Sequence, residues 1–225
     1  VSYSLLAEAG FQPDPEEVAS LITPRTRMLI LASPSNPTGG VIGRDVLAEL
    51  ARLAVERDLV VVSDEIYEKI IFDGGEHRSL AGLGDSYERT ITVNGFSKAY
   101  AMTGWRIGYA AAPAEILGAM RKVHQYTIMS APTTAQYAAL AALEHGEPAV
   151  QEMLARYDRR RQLIVDGLND IGLTCFEPKG AFYAFPNIKE TGWQAKPLAS
   201  ALLEDAGVAV IGGPDFGVLG EGYIR

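Results

Sequence analysis

Leu59-Val60-Val61-Val62-Ser63 decides the fold class: a short, nearly continuous apolar run, rich in β-branched residues, followed directly by the carboxylate of Asp64. Such a run is the pattern of a strand buried on both faces of a parallel sheet, where neither side alternates with solvent. Met28-Leu29-Ile30-Leu31-Ala32 repeats it upstream. Between the two, residues 44–57 put Leu47, Leu50 and Ala54 on one stripe and Glu49, Arg52 and Glu56 elsewhere, which predicts a helix and hence a βαβ unit. Thr90-Ile91-Thr92-Val93 predicts a third strand, and residues 107–112 a fourth. Residues 94–105 leave little room for a crossover helix, so the fourth strand is expected to run back antiparallel to the third.

After Pro113 the pattern turns helical. Residues 133–145 are Ala-rich and stop at Gly146, an expected C′ glycine, and residues 148–168 carry Val150, Leu154, Tyr157, Ile164 and Leu168 at helical spacing. Short strands are then expected at 174–177, 181–185 and 208–211, with a helix over 198–206. The fold class is therefore α/β: a large domain with a mostly parallel sheet, residues 1–146 including linking helices at its end, followed by a small α+β domain, residues 147–225. Both domains are expected to be incomplete. The chain opens on Val1 without an initiator Met and stops directly after the strand-like Gly222-Tyr223-Ile224, which reads as a piece of something longer.

With 225 residues, 48% of them hydrophobic, the chain has enough apolar content for a full core. A net charge of −8 repels phosphate backbones and acidic bilayers, so neither nucleic acid nor membrane is an expected partner. The densest basic run, Arg159-Arg160-Arg161, reads as a solvated helix face, with a salt bridge as the lesser reading. Cys175 is the only cysteine and reads as a small core residue in a strand. No apolar run approaches a membrane span and no charged-then-apolar stretch opens the chain, so a cytoplasmic location is expected. His77, His124 and His145 lack metal-ligand spacing and read as surface or helix-end side chains, so no metal is expected. Residues 212–217 read as a loop, and Tyr183 and Trp193 as packing.

In sheets of this kind ligands gather beyond the carboxyl ends of the strands. Asn36 follows the first run, Asp64 the second and Lys98 the third, and Arg106 opens the antiparallel fourth; all should meet at one edge. Each alone has a plain structural reading. Asn36 lies in Ser33-Pro34-Ser35-Asn36-Pro37-Thr38-Gly39-Gly40, a rigid turn in which it would bond its own main chain; Asp64 would cap a helix; a single lysine is usually a surface charge. Ordinary caps and turns, however, do not bring Asn, Asp, Lys and Arg to the ends of neighbouring strands. Tyr67, three residues after Asp64, would share their site if a helical turn begins there.

These motifs, above all Asn94-Gly95-Phe96-Ser97-Lys98-Ala99-Tyr100-Ala101-Met102-Thr103-Gly104-Trp105-Arg106-Ile107-Gly108-Tyr109 and Ser63-Asp64-Glu65-Ile66-Tyr67, resemble those of the pyridoxal-phosphate-dependent aminotransferases of fold type I, class I/II, the aspartate aminotransferase superfamily. The resemblance runs from about residue 22 to Arg225. It implies pyridoxal 5′-phosphate as cofactor, held by Lys98 through a Schiff base. It implies that Asp64 pairs with the pyridine nitrogen, that Tyr67 and Asn36 bond the phenolic oxygen, and that Arg106 grips the phosphate. Gly222-Tyr223-Ile224-Arg225 resembles the segment whose arginine holds the substrate α-carboxylate, with Asn36 beside it. Many relatives place a serine where this chain has Gly95, which leaves Ser97 as the candidate phosphate hydroxyl. The family's glycine-rich phosphate loop and ring-stacking aromatic precede the point that corresponds to Val1.

The residue types suit those roles. A pyridine ring withdraws electrons while its nitrogen is protonated, and a carboxylate against that nitrogen keeps it so. A lysine that sheds its charge can carry a proton from Cα. Arginine's planar fork binds phosphate or carboxylate through two parallel bonds. The expected function is amino-group transfer from an L-amino acid to a 2-oxo acid, in a homodimer by resemblance. Two alternatives stay open: another Cα reaction such as β-elimination, and a non-enzymatic ligand-sensing domain of a transcription regulator. A further reading concerns the chain alone, which folds yet binds cofactor poorly because half the phosphate cup lies upstream.

Overall fold

Met28–Ala32 (β1) and Val60–Asp64 (β2) lie side by side and parallel in the computed structural model, which describes residues 1–225. Thr90–Gly95 (β3) pairs parallel to β2, and Gly108–Ala111 (β4) returns antiparallel along β3, so the sheet order follows the chain. Helix Arg44–Glu56 (α2) crosses from β1 to β2, after the short helix Pro15–Leu21 (α1), whose first turn is capped by Asp14 accepting from the Glu16 amide. Leu47, Leu50, Leu53 and Ala54 of α2 are buried with Leu29, Leu31, Leu59 and Val61 in the largest core cluster. Leu50 is wholly buried there; a Leu50→Ala change would cost about 2–5 kcal/mol in lost transfer and cavity.

Burial of β1 on both faces does not hold. Leu29 and Leu31 are buried while Met28 is 47% and Ile30 61% exposed, because α2 covers one face and the other meets little beyond residues such as Tyr3, whose hydroxyl donates to the Ile30 carbonyl; in β2 the alternation is milder, with Val61 and Ser63 buried and Val60 and Val62 half-buried.

Ala114–Thr127 (α3), Thr133–His145 (α4), Glu147–Asp170 (α5) and Ala195–Ala206 (α6) supply the helices expected after Pro113. Gly146 is not a left-handed C′ residue: its φ is −80°, since α5 starts at the next residue and uses it as N-cap. The expected strands at 174–177, 181–185 and 208–211 reduce to single bridges, Cys175 with Pro186, Ile71 with Gly180, Asn187 with Tyr223 and Gly212 with Ile224. Pro186 has no N–H to extend a ladder, and Ala181 at φ 57° turns the chain out of extended geometry. Cys175 is buried as expected.

The basic run on α5 is also corrected. Successive helical residues point about 100° apart, so three in a row cannot share one face. Arg159 and Arg160 are exposed, but Arg161 is 6% exposed and donates to Asp73, Asp158, Glu177 and the Pro178 carbonyl, with its guanidinium 4.8 Å from the Phe72 ring. It clamps the 72–75 turn and the 177–180 segment to α5. That segment also locks onto the turn after β1: the Lys179 and Gly180 amides donate to the Gly39 carbonyl, and a Cβ on Gly39, at φ 72°, would sit 2.4 Å from Pro178. No helix is long and apolar enough to cross a membrane.

Candidate active site at the carboxyl ends of the strands

Asp64 is the last residue of β2, opposite Ala32 of β1 and Val93 of β3. Its Oδ1 accepts the Ile66 amide at 3.1 Å, which folds the chain into a tight turn rather than capping a helix. Hydrogen bonds from the Glu68 amide to the Glu65 carbonyl and from the Ile70 amide to the Tyr67 carbonyl complete that turn. Tyr67 is 5% exposed, with Phe182 and Tyr183 against its ring at 5.5 and 5.8 Å between centroids and its hydroxyl 2.6 Å from that of Tyr183. Burial pushes the phenol far above its ordinary value, while Arg225 pulls it down and Asp64 up. Tyr67 therefore keeps its proton and senses both charges.

The Asn36 turn is tied internally by the Ile42 amide donating to Ser33 Oγ and the Gly40 amide donating to Thr38 Oγ1. Asn36 itself is turned outward, and its Oδ1 accepts Arg225 Nη1 at 2.7 Å instead of a main-chain donor. Arg225 is pinned by paired backbone bonds with Ile211, and its guanidinium lies between the rings of Tyr183 at 4.6 Å and Phe216 at 4.7 Å.

Lys98 sits in the turn after β3, half-buried, with Nζ 5.7 Å from the Phe182 ring centroid. Ser97 and Arg106 meet through Thr103, whose hydroxyl donates to the Ser97 carbonyl and whose carbonyl accepts Arg106 Nη1 at 2.8 Å. Arg106 is exposed and left-handed at φ 52°, the bend that starts β4. Gly95 packs closely here: a Cβ would lie 3.1 Å from the Gly108 Cα across the antiparallel pair, so a serine at this position needs a shift of a few tenths of an ångström.

All the sequence candidates thus lie at one end of the sheet. Asn36 and Arg225 touch, Tyr67 is coupled to Arg225 and Asp64, Lys98 and Tyr67 share Phe182, and Ser97 and Arg106 share Thr103. Four residues were missed. Tyr183 is part of the site, not mere packing, and Phe182 connects two of its members. Glu65, 2% exposed, accepts from Ser63 Oγ, Ser79 Oγ and His77. His77, expected at the surface, has a side chain 13% exposed with Nε2 2.7 Å from Glu65 Oε2; Glu68 lies close by. Only the Ser63-Asp64-Glu65 sequence hinted at this network, and nothing local pointed to Tyr183.

Asp64, Lys98, Arg106 and Arg225 form no ion pair with any protein group. One acid, one amine, two guanidiniums and a protonated phenol are left to bind something else. A family model for aminotransferase class I and II matches residues 1–225. The chain belongs to the class I and II aminotransferases. It is 47% identical over 219 residues to the putative aminotransferase YugH of Bacillus subtilis, covering 97% of this chain and 56% of that protein. It is 49% identical over 220 residues to an aspartate aminotransferase of Pyrococcus abyssi, covering 97% and 57%. The solved aromatic aminotransferase from Pyrococcus horikoshii superposes with a TM-score of 0.97 at 47% identity, covering all of this chain and 61% of that one. The chain thus spans a little over half the length of the curated relatives it matches. Aminotransferases of this family use pyridoxal phosphate. The donor set fits that group: a carboxylate for a cationic ring nitrogen, an amine for an aldehyde, a phenol for a phenolate, and a guanidinium for a phosphate.

Proposed function

We propose that the protein containing this chain is an amino-acid aminotransferase acting between an L-amino acid and a 2-oxo acid. The observation that carries this is that Asp64 and Lys98 follow the carboxyl ends of adjacent parallel strands and Arg106 opens the antiparallel one, none of them in an ion pair, at the sheet end where Asn36 accepts from Arg225. Pyridoxal phosphate, when bound, supplies an electron sink for negative charge developing at the substrate Cα. Lys98 would hold it through Nζ, Asp64 would keep its ring nitrogen protonated, Tyr67 and Asn36 would hold its phenolic oxygen, and Arg106 with Ser97 its phosphate. Lys98 Nζ, once free and uncharged, is the group placed to take up the Cα proton. Arg225 would receive the substrate carboxylate as a bidentate partner, with Asn36 Oδ1 and the two aromatic faces fixing its plane. Tyr67, Phe182 and Tyr183 exclude water beneath it.

Residues 1–146 and 147–225 are read as a large and a small domain, supported by one core cluster confined to residues 18–80 and another to residues 188–224. A homodimer is supported by family membership and by the bare apolar side chains Val123, Tyr126, Ile128 and Met129 at the end of α3. A cytoplasmic location agrees with the lack of a membrane-spanning helix. Relatives named for aspartate and for aromatic amino acids support the amino-acid class without choosing within it.

The test uses the full-length protein loaded with pyridoxal phosphate and given L-aspartate or L-tyrosine. One equivalent of 2-oxo acid is expected without an acceptor, and turnover once 2-oxoglutarate is added. Lys98→Ala should lose the protein-linked visible absorption band and at least 10³-fold in kcat. Pyruvate and ammonia released from L-serine without any acceptor would replace transfer by elimination, and an unchanged band in Lys98→Ala would remove Lys98 from its role.

A further inference from the structure

We propose that Tyr183 is a positioning residue that ties the Arg225 guanidinium to the hydroxyl of Tyr67, so that one side chain sets both the carboxylate grip and the phenol beside the cofactor. This rests on the aminotransferase reading above. The Tyr183 hydroxyl lies 2.6 Å from that of Tyr67, and the Tyr183 ring lies 4.6 Å beneath the Arg225 guanidinium. Tyr67 has no other hydrogen-bond partner in the protein for its hydroxyl. A phenylalanine at 183 would pack equally well against Phe182, so packing gives no reason for the hydroxyl.

Each phenol has a single proton, and only one of the two can donate across the 2.6 Å contact. The direction decides what Tyr67 can do. A cation over the face of a phenol draws electron density from the ring and strengthens its O–H as a donor, and Arg225 lies over Tyr183. Tyr183 therefore donates to Tyr67, and the Tyr67 proton is left for an acceptor on the cofactor side. Donors in such a chain polarise one another, so Tyr183 makes Tyr67 the stronger donor. A carboxylate captured by Arg225 partly cancels the charge above Tyr183, which passes the state of the grip on to Tyr67.

The experiment compares Tyr183→Phe, Tyr183→Leu, Tyr67→Phe and the double variant Tyr67→Phe/Tyr183→Phe. It reads the pH midpoint of the visible absorption band of the protein loaded with pyridoxal phosphate, without substrate, and separately KM and kcat for L-aspartate and L-tyrosine. Tyr183→Phe should move the midpoint upward by about 0.4–1 pH unit and leave KM within about twofold. Tyr183→Leu, which also removes the ring, should raise KM by about 3–20-fold. In the Tyr67→Phe background, Tyr183→Phe should move the midpoint no further. A midpoint unmoved by Tyr183→Phe, or moved equally with Tyr67 absent, overturns the inference even if one variant folds poorly. Equal KM values for the Phe and Leu variants overturn the Arg225 half. A parent protein with no protein-linked band at all overturns the aminotransferase reading, a failure visible before any Tyr183 variant is made.

Discussion

Asp64 commits one carboxylate oxygen to the Ile66 amide and leaves the other without a protein partner. An asparagine keeps the first acceptor but cannot hold a proton on a ring nitrogen. Asp64→Asn should therefore melt within a few degrees of the parent while kcat falls on the order of 10²–10³-fold, as thermal melts and steady-state kinetics would show. The neighbouring acid works differently. Glu65 is buried, and its carboxylate accepts from two serines and His77, so Glu65→Gln places an amide N–H₂ against donors and should cost about 1–3 kcal/mol in urea unfolding. Asp64 was legible because it follows an apolar run; Glu65 was not, because a carboxylate after a strand is ordinarily solvated and its partners His77 and Ser79 come from another loop. Tyr183 was illegible for the same reason, its role being set by Tyr67 and Arg225 far away in the chain.

Strands and helices of the sheet layer were read to within a residue or two, since continuous apolar runs and a helical stripe are local signals. The small-layer strands were not, because Pro186 and the positive φ at Ala181 break ladders that composition alone suggested. At this scale the feature to test is the Arg161 clamp between α5, the 72–75 turn and the 177–180 segment. Its carboxylate partners Asp73 and Glu177 are 42% and 53% exposed, so Arg161→Met strands no buried charge, and the expected loss is about 2–3 kcal/mol in urea unfolding. The hydrogen bond from Arg161, then that from Lys179, hold Asp73 below the ordinary carboxylate range. A carboxyl depressed in the folded state adds stability above its unfolded value, about pH 3.9, and loses it as pH falls through the lower folded value. The stability gap between parent and Asp73→Asn should therefore be small at neutral pH, given solvent screening, and close by pH 2–3. A gap that persists there would mean that Asp73 acts through packing rather than charge.

Across the molecule, the sheet face bearing Met28 and Ile30 stays bare and borders an open groove of about 510 Å³ whose lining includes Tyr3, Leu21 and Ile22. Contiguous apolar surface of this kind binds apolar dyes, so the 225-residue chain should enhance anilinonaphthalene sulfonate fluorescence in its folded state, and Ile30→Thr should reduce the signal without lowering the urea midpoint. Fluorescence unchanged by Ile30→Thr would place the dye elsewhere. The Asn36–Arg225 hydrogen bond closes a span of 189 positions. Pairings that distant form slowly, because the polymer must give up most of its freedom before they yield anything in return. A refolding molecule should regain its helices while Asn36 and Arg225 are still apart, so far-ultraviolet ellipticity should recover first and anion capture at Arg225, the proposed carboxylate partner, last: their pairing is the closing event of collapse.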